Sequence, residues 1–182
     1  MALLESLNLP LGQPLDNYHL EDCFNKPHSL HSLTGKSGTL VMFTCNHCPY
    51  AIAVWPRIIR LHEEFSKSIS FIAINPNINP AYPDDSPDNM KKKIDEWGIR
   101  FPYLVDKDQN VARAFKAQCT PDLYLYDSEN LLVYHGRIDD NWQDESKVTK
   151  QDLKEAMQNL VEGKPVSDEQ KPSMGCSIKW LA

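Results

Sequence analysis

The sequence predicts an α/β fold in which helices flank a central mixed β-sheet. Two apolar runs of strand length, Thr39–Phe43 and Ile69–Ile74, lack polar alternation, which is typical of strands buried on both faces of a parallel sheet. A helical pattern lies between them. Two later runs, Asp122–Tyr126 and Leu131–Arg137, flank a turn and predict an antiparallel hairpin. Parallel strands followed by such a hairpin give a mixed sheet.

The first part of the chain alternates turns, strands and helices. Residues 1–36 are rich in turns and form an N-terminal extension, with a short strand at Tyr18–Leu20. The long helix is predicted to end near Phe65, because apolar residues recur at three- and four-residue steps up to that point. Four prolines make Asn75–Asp88 a loop, and Asn89–Trp97 is predicted to be a short helix.

The second part continues this alternation and ends in a tail. Phe101–Val105 is predicted to be a third strand, and a short helix follows it through Phe115. The final helix spans about Lys150–Glu162. It ends at Gly163, because glycine readily adopts the backbone conformation that terminates many helices. Residues 166–182 form a C-terminal tail.

The composition is that of an ordinary globular protein. Residues 1–182 are expected to form one domain, since this length suffices for a hydrophobic core. Lys and Arg number 19 against 25 Asp and Glu, and the net charge of −6 argues against a nucleic acid partner. No apolar run approaches the ~20 residues of a membrane-spanning helix. The N-terminus lacks a secretory signal pattern, so we expect a cytoplasmic protein.

Two cysteines stand three positions apart where the first buried strand meets the long helix. The stretch is Phe43-Thr44-Cys45-Asn46-His47-Cys48-Pro49-Tyr50. A thiol at the start of a helix faces unpaired backbone amides and the positive end of the helix dipole, which favour the thiolate. We therefore expect Cys45 at the helix cap, with a lowered pKa, as the attacking nucleophile.

The residues around Cys45 fit a redox pair. Cys48 lies one turn further along and can close a disulfide with Cys45; we expect it to be better buried and to keep its proton longer. Pro49 suits the first turn of a helix, where its missing N–H has no partner. Protonated His47 would stabilise the Cys45 anion, and a solvent-facing His47 without this role is the alternative. A CxxC at a strand-to-helix junction favours redox chemistry.

A second signal lies downstream, where Thr120-Pro121 opens the hairpin and suits a cis peptide bond, with a trans edge proline as the alternative. The CxxC and this dipeptide resemble the thioredoxin-like superfamily. Within it, they resemble the alkyl hydroperoxide reductase/thiol-specific antioxidant (AhpC/TSA, peroxiredoxin-like) proteins that carry a CxxC. Tyr134–Asp140 and Gly175–Trp180 are also similar to segments of that group.

The resemblance covers the chain from about Leu15 to its end and implies a thioredoxin-like fold. By this resemblance, Pro121 packs against the CxxC and, with Thr120 before it, helps to hold the disulfide of a partner. Thr44, which precedes the first cysteine, is a further candidate for substrate binding. Residues 75–101 resemble the strand-containing insertion that separates this group from minimal thioredoxin.

The chain departs from a peroxiredoxin active site, whose pattern is Pro-x-x-x-Thr/Ser-x-x-Cys. Counting back from Cys45, Gly38 stands in the proline position and Met42 in the hydroxyl position. The hydroxyl that would position a peroxide is missing, so only slow peroxidase activity is expected.

Three cysteines lie outside the CxxC. Cys119 is predicted to be a buried structural thiol, because strand alternation turns it away from the face of Thr120. Cys176 is a candidate accessory thiol that could resolve a disulfide or pair between subunits. Cys23 is expected to be an ordinary free cysteine.

The leading hypothesis is a thiol–disulfide oxidoreductase with antioxidant character, a redox-active Cys45–Cys48 disulfide and no cofactor. It would act on a disulfide or peroxide substrate and take electrons from a thiol donor such as thioredoxin or glutathione. The alternative is a module that binds or delivers copper or zinc through both cysteines of the CxxC. Its further candidate ligands are His47, His135, Cys119 and Cys176. A non-catalytic binding domain is the third hypothesis.

Overall fold

In a computed structural model, which describes residues 3–181, the chain forms strands, helices and three short 3₁₀ turns. The strands of this part are β1 Leu3–Glu5, β2 His19–Asp22, β3 Pro27–Ser29, β4 Gly38–Phe43, β5 Ile69–Asn75, β6 Tyr103–Val105, β7 Cys119–Thr120, β8 Asp122–Asp127, β9 Leu132–Gly136 and β10 Met174–Ser177. Its helices are α1 Pro49–Phe65, α2 Pro87–Trp97, α3 Asn110–Ala114 and α4 Asp152–Val161. The 3₁₀ turns are Leu30–Leu33, Pro83–Asp85 and Glu145–Lys147.

The main sheet contains seven strands in the order β3-β2-β6-β5-β4-β8-β9. β4 runs parallel to β5 and β5 parallel to β6, whereas β8 and β9 are antiparallel to their neighbours. The predicted mixed sheet with a C-terminal hairpin is therefore confirmed. The hairpin turns at Asp127, whose carboxylate accepts the amides of Glu129 and Leu131, each at 2.9 Å.

β4 is the central strand, and all of its residues are buried, as its continuous apolar run predicts. Leu40 and Met42 belong to the core that α1, α2 and α4 cover, while Val41 and Phe43 belong to the core that α3 covers. Successive side chains of a strand point to opposite faces of a sheet, so one strand feeds both cores. The carboxyl end of β4, where the CxxC follows, therefore lies in the middle of the molecule.

The insertion differs from the expectation based on resemblance. Residues 76–102, all of which the structure describes, contain a 3₁₀ turn and α2 but no strand. The helix forms because Ser86 accepts the amide of Asn89 as its N-cap and Pro87 takes the first position. Gly98 ends it in a left-handed conformation.

The C-terminal tail is a strand. β10 pairs antiparallel with β7 on one side and with β1 on the other, in a second sheet of order β1-β10-β7. Beyond β10, the Arg113 guanidinium lies 4.4 Å from the centre of the Trp180 ring and the Leu181 amide donates to Gln109 Oε1 at 2.7 Å, so the end of the tail is docked. Along residues 3–181, no helix has the length and apolar character needed to cross a membrane.

Candidate active site

The CxxC follows β4 and leads directly into α1. Cys48 is the N-cap of the helix and Pro49 its first residue. The prediction that Cys45 caps the helix is therefore wrong by three residues. The reason is local: proline is favoured at the first helical position, which makes the preceding residue the cap.

Both thiols are fully covered. Cys45 and Cys48 have 0% of their surface exposed, and they cluster with Ala51 and Cys176. The expected difference in burial between the two cysteines is absent. A substrate reaches either sulfur only after the part of the chain that covers both thiols moves.

The two thiols hold their protons unequally. Burial raises the pKa of Cys45 well above its ordinary value. A hydrogen bond from the Cys45 thiol lowers the pKa of Cys48 to about 5. The Cys176 thiol and the Ala51 amide act on Cys48 in the same direction. Within the covered pair the pKa is therefore lower at Cys48 than at Cys45, whereas the sequence-based expectation placed the lowered pKa at Cys45.

Thr120 contacts both sulfurs. Its hydroxyl lies 3.3 Å from Cys45 Sγ, and its carbonyl oxygen lies 3.2 Å from Cys48 Sγ. The carbonyl oxygen accepts the Cys48 proton when that thiol is protonated, and it disfavours a negative charge on Cys48. The several donors around Cys48 favour that charge and outweigh this single acceptor. The hydroxyl is placed to donate to a Cys45 thiolate. The peptide bond between Thr120 and Pro121 is cis, as predicted.

Thr44, the other residue expected to bind substrate, is fully buried. Its backbone amide donates to the carbonyl of Ile74 at 2.9 Å, which extends the pairing of β4 and β5 by one residue. Its hydroxyl has no hydrogen-bond partner among the described residues. Thr44 therefore lies beside the site without contacting the thiols through a hydrogen bond.

His47 lies next to a buried acid that the sequence did not reveal. Its Nδ1 contacts the carboxylate of Asp85, which has 0% exposure. The His47 ring stacks on Tyr82 with centroids 5.2 Å apart, and its Nε2 is buried without a partner among the described residues. Asp85 ends the 3₁₀ turn before α2, within a segment predicted only as a loop.

The backbone of the motif is held by the same acid. The Asn46 amide donates to Asp85 Oδ1 at 2.6 Å, and the Asn46 side chain accepts from the Tyr103 hydroxyl at 3.0 Å. The Trp55 indole donates to the carbonyl of Cys45 at 3.4 Å. These contacts fix the loop between β4 and α1, and with it both sulfurs.

The comparison with protein families agrees with this geometry. The model described as the AhpC/TSA family matches residues 11–135, which is more than half of the chain. The chain belongs to the AhpC/TSA family. Met42, which by the resemblance stands where peroxiredoxins carry a hydroxyl residue, is buried in the core under α1.

Relatives of this AhpC/TSA protein are found among solved and curated proteins. The structure of an uncharacterized conserved protein from Geobacillus kaustophilus is 41% identical, covers 100% of this chain and 97% of its own, and has a TM-score of 0.94. The thiol-disulfide oxidoreductase ResA of Halalkalibacterium halodurans is 27% identical over 123 residues. That region is 67% of this chain and 65% of the relative, so the match spans less than two thirds of the relative's length.

A more distant neighbour shows the fold alone. The thioredoxin domain of a thiol-disulfide oxidoreductase from Bacteroides vulgatus is 20% identical and has a TM-score of 0.59. It covers 70% of this chain and 88% of its own. The fold of this AhpC/TSA protein is thus thioredoxin-like, with a central mixed sheet, as expected.

The structure does not support the alternative of a metal module. Polar atoms of Cys45, His47 and Asp85 lie within 4.8 Å of one another. The Asp85 carboxylate, however, is already engaged by His47 and by the Asn46 amide, so these groups satisfy each other rather than a cation. Another candidate ligand, His135, is bound through Nε2 to Asp122 at 2.8 Å.

The remaining cysteines are buried too. Cys119 Sγ lies 3.6 Å from the carbonyl oxygen of Pro121, and burial raises the pKa of this thiol. This placement is compatible with the predicted structural role. Cys23 lies in the core under α2, and Cys176 lies beside Cys48.

Proposed function

We propose that this AhpC/TSA protein is a thiol–disulfide oxidoreductase in which Cys45 and Cys48 alternate between a dithiol and a disulfide. The observation that carries the proposal is the pair itself. Both sulfurs lie at the start of α1 and contact Thr120, Cys45 Sγ at 3.3 Å from its hydroxyl and Cys48 Sγ at 3.2 Å from its carbonyl oxygen. The lowered pKa of Cys48 leaves one thiolate at neutral pH, and the thiolate is the nucleophile in disulfide exchange.

Opening of the site transfers the charge from Cys48 to Cys45. Burial is the main cause of the raised pKa of Cys45, so water reaching this sulfur lowers that pKa. Cys48 loses its hydrogen bond from Cys176 when the strand that carries Cys176 departs. Both changes favour a Cys45 thiolate. The nucleophile is thus formed only when a substrate has displaced the cover.

The chemistry then follows in two exchanges. The Cys45 thiolate attacks one sulfur of a substrate disulfide, which forms a mixed disulfide and releases the other sulfur as a thiolate. Protonated His47, held by the Asp85 carboxylate, supplies the proton to that leaving group. Cys48 gives its proton to water, and the N–H groups at the start of the helix stabilise the resulting thiolate. This thiolate attacks the Cys45 sulfur of the mixed disulfide and releases the reduced substrate as a thiolate.

The enzyme then carries a Cys45–Cys48 disulfide. A thiol donor such as thioredoxin or glutathione returns it to the dithiol state by the same exchange in reverse. Slow reduction of peroxides is a narrower variant: Cys45 would pass through a sulfenic acid that condenses with Cys48 and releases water. Family membership favours this variant, but Met42 in place of a hydroxyl residue does not. A reducing compartment such as the predicted cytoplasm suits this cycle.

The test compares two oxidants on the reduced protein. We expect a model protein disulfide to oxidise the wild type with loss of two thiols, and hydrogen peroxide to react much more slowly. Cys45→Ser and Cys48→Ser should abolish turnover, whereas Cys23→Ala, which removes a remote core thiol, should leave it unchanged. Equal rates for the wild type and Cys45→Ser contradict the proposal.

A further inference from the structure

The C-terminal strand covers the thiols by pairing with the segment that contacts them. β10 lies antiparallel to β7, with Cys176 opposite Thr120 and Ser177 opposite Cys119. An exposed strand edge offers unpaired amides and carbonyls to any extended peptide. Here β10 uses the edge of β7, directly before Pro121, where a peptide carrying a disulfide would reach both sulfurs.

Gly175 shows how closely β10 approaches this loop. A Cβ atom at this position would lie 2.0 Å from the carbonyl oxygen of Thr120 and 3.2 Å from the nitrogen of Pro121. Because the first distance is far below van der Waals contact, no residue with a side chain fits without moving the strand. Glycine at position 175 thus allows β10 to lie directly against the loop that contacts both thiols.

Polar contacts hold both ends of the strand. The Ser173 hydroxyl donates to the carbonyl of Pro121 at 2.7 Å, and its amide donates to the hydroxyl of Ser6 at 2.8 Å. Beyond β10, the amide of Lys179 donates to Asn77 Oδ1 at 2.8 Å. The side-chain amide of Gln109 further donates to the carbonyl of Lys179 at 2.9 Å and accepts from the amide of Leu181 at 2.7 Å. A competing strand can take over the backbone pairing of β10 with β7, but these contacts and the pairing of β10 with β1 must then break.

Cys176 is placed where it can react with Cys48. Its side chain is 4% exposed and packs in the cluster of Cys45, Cys48 and Ala51. The Cys176 thiol keeps its proton, because burial raises its pKa to about 12. Cys48 and Cys176 lie in one buried cluster, and Cys176 stands opposite Thr120, whose carbonyl oxygen is 3.2 Å from Cys48 Sγ.

We propose that β10 occupies the edge of β7 to which a substrate peptide would bind, and that Cys176 is a third redox thiol. Cys176 replaces Cys45 in the disulfide with Cys48. In this step, Cys176 attacks Cys48 in the Cys45–Cys48 disulfide. The bond between Cys48 and Cys176 forms, the bond between Cys45 and Cys48 breaks, and Cys45 leaves as a thiolate that takes the proton from Cys176. No electrons are gained or lost, so no further oxidant is needed.

The exchange has a chemical consequence. It returns Cys45 to the thiol state while the protein still carries one disulfide, and it ties β10 covalently to the site. The inference rests on the proposed function, since the first disulfide comes from a disulfide substrate. It adds an extended, disulfide-bearing peptide segment as the class of substrate, because such a segment can pair with β7 as β10 does.

The test maps disulfides in the full-length protein. Wild type, Cys45→Ala and Cys119→Ala are equilibrated with mixtures of reduced and oxidised glutathione, quenched with acid, alkylated and digested. Mass spectrometry then identifies the linked peptides. We expect both the 45–48 and the 48–176 linkage in the wild type. Cys45→Ala should form the 48–176 linkage within about tenfold of the glutathione ratio at which the wild type oxidises, since both disulfides use the same sulfur.

The outcomes separate the two proposals. Cys119→Ala, which removes the buried thiol opposite Ser177, should match the wild type. A wild type that forms the 45–48 linkage without the 48–176 linkage, together with a Cys45→Ala variant that carries only glutathione on Cys48, overturns the role of Cys176 and leaves the proposed function intact. A wild type that forms neither linkage overturns both. If Cys45→Ala fails to fold, the linkages of the wild type alone decide.

Discussion

The imidazole of His47 contacts the buried carboxylate of Asp85, which is 38 residues away in the sequence. Asp85 also accepts the amide of Asn46, so one carboxylate orients both a titratable side chain and the backbone of the CxxC. This buried acid approaches the thiols from the loop before α2. The dyad places an acid–base group within 4.8 Å of Cys45.

Asp85→Asn should slow disulfide reduction by at least about tenfold, because a positioned acid–base group contributes about 10² or more to such rates. The neutral amide holds the imidazole less firmly than the carboxylate does. Rates of reduction of a protein disulfide, measured for the wild type and the variant under the same conditions, check this effect.

Asp84→Asn is the matched control. Asp84 is the neighbouring residue with an exposed side chain, and only its backbone carbonyl contacts the motif, through the Asn46 amide group at 2.9 Å. Its substitution should leave the rate unchanged. Similar losses in both variants would mean that the loop, and not the dyad, supports the reaction.

The second prediction concerns the charge of the reduced protein. The pKa of Cys48 is lowered to about 5, whereas burial raises those of Cys45 and Cys176. One thiolate should therefore appear as the pH rises through about 5, and no second one near neutral pH. The ultraviolet absorbance of the thiolate against pH measures this directly.

Two variants assign the transition at pH 5. Cys48→Ala should remove it. Cys45→Ala should move it to higher pH, because the hydrogen bond from Cys45 is the largest cause of the lowered pKa of Cys48. A transition that stays near pH 5 in Cys48→Ala would assign the charge to another thiol.

The third prediction contrasts two threonines beside the thiols. Thr120→Val removes the hydroxyl 3.3 Å from Cys45 Sγ and should slow the attack by Cys45 about tenfold, since a hydrogen bond to a charged group is worth about 1.5 kcal/mol. Thr44→Val removes a buried hydroxyl without a partner in the described chain and should keep the rate while leaving stability equal or higher. Stopped-flow oxidation and thermal unfolding measure both. A loss of rate in Thr44→Val would restore its predicted role in substrate binding.

Much of the fold could be predicted because its signals are local. The run Thr39–Phe43 marks the central strand, since a strand buried on both faces needs no polar alternation. The Thr120-Pro121 dipeptide is likewise a local signal, and it marks the start of a strand. β10 could not be predicted, because Met174–Ser177 is four residues long, contains glycine and has no periodic pattern.

The site was predicted in part for the same reason. Cys45, His47 and Cys48 are neighbours in the sequence, so spacing alone brings them together. The contacts of Asp85 with His47 and of Cys176 with Cys48 join distant segments, and no sequence spacing reports them. The difference in pKa between the two thiols depends on these distant donors and on burial, so the sequence alone does not report it.

The fourth prediction concerns stability. Arg57 in α1 donates to Asp139 at 2.6 Å and to the carbonyl oxygen of Trp142 at 2.7 Å, and Trp142 packs on Tyr50 beside the thiols. Asp139→Ala leaves a buried guanidinium without its counterion and should lower the free energy of unfolding by about 3 to 5 kcal/mol. Denaturant unfolding measures it.

An exposed ion pair on the same helix provides the comparison. Arg60 and Glu145 are 52% and 55% exposed, so Glu145→Ala should change the free energy of unfolding by less than about 1 kcal/mol. Equal losses for Asp139→Ala and Glu145→Ala would contradict the larger contribution expected of the buried pair.

The last prediction tests the cover itself. Gly175→Val places a side chain 2.0 Å from the Thr120 carbonyl oxygen, so β10 must separate from β7 and expose the thiols. Alkylation of Cys45 and Cys48 should accelerate at least about tenfold, because exposure of the thiolate limits its reaction. Gly163→Val is the control: it strains a left-handed backbone with φ +68 at the end of α4, where no atom lies within 4 Å, at a cost of about 1 to 3 kcal/mol. Unchanged alkylation in Gly175→Val, or equal acceleration in both variants, would show that β10 does not control access to the site.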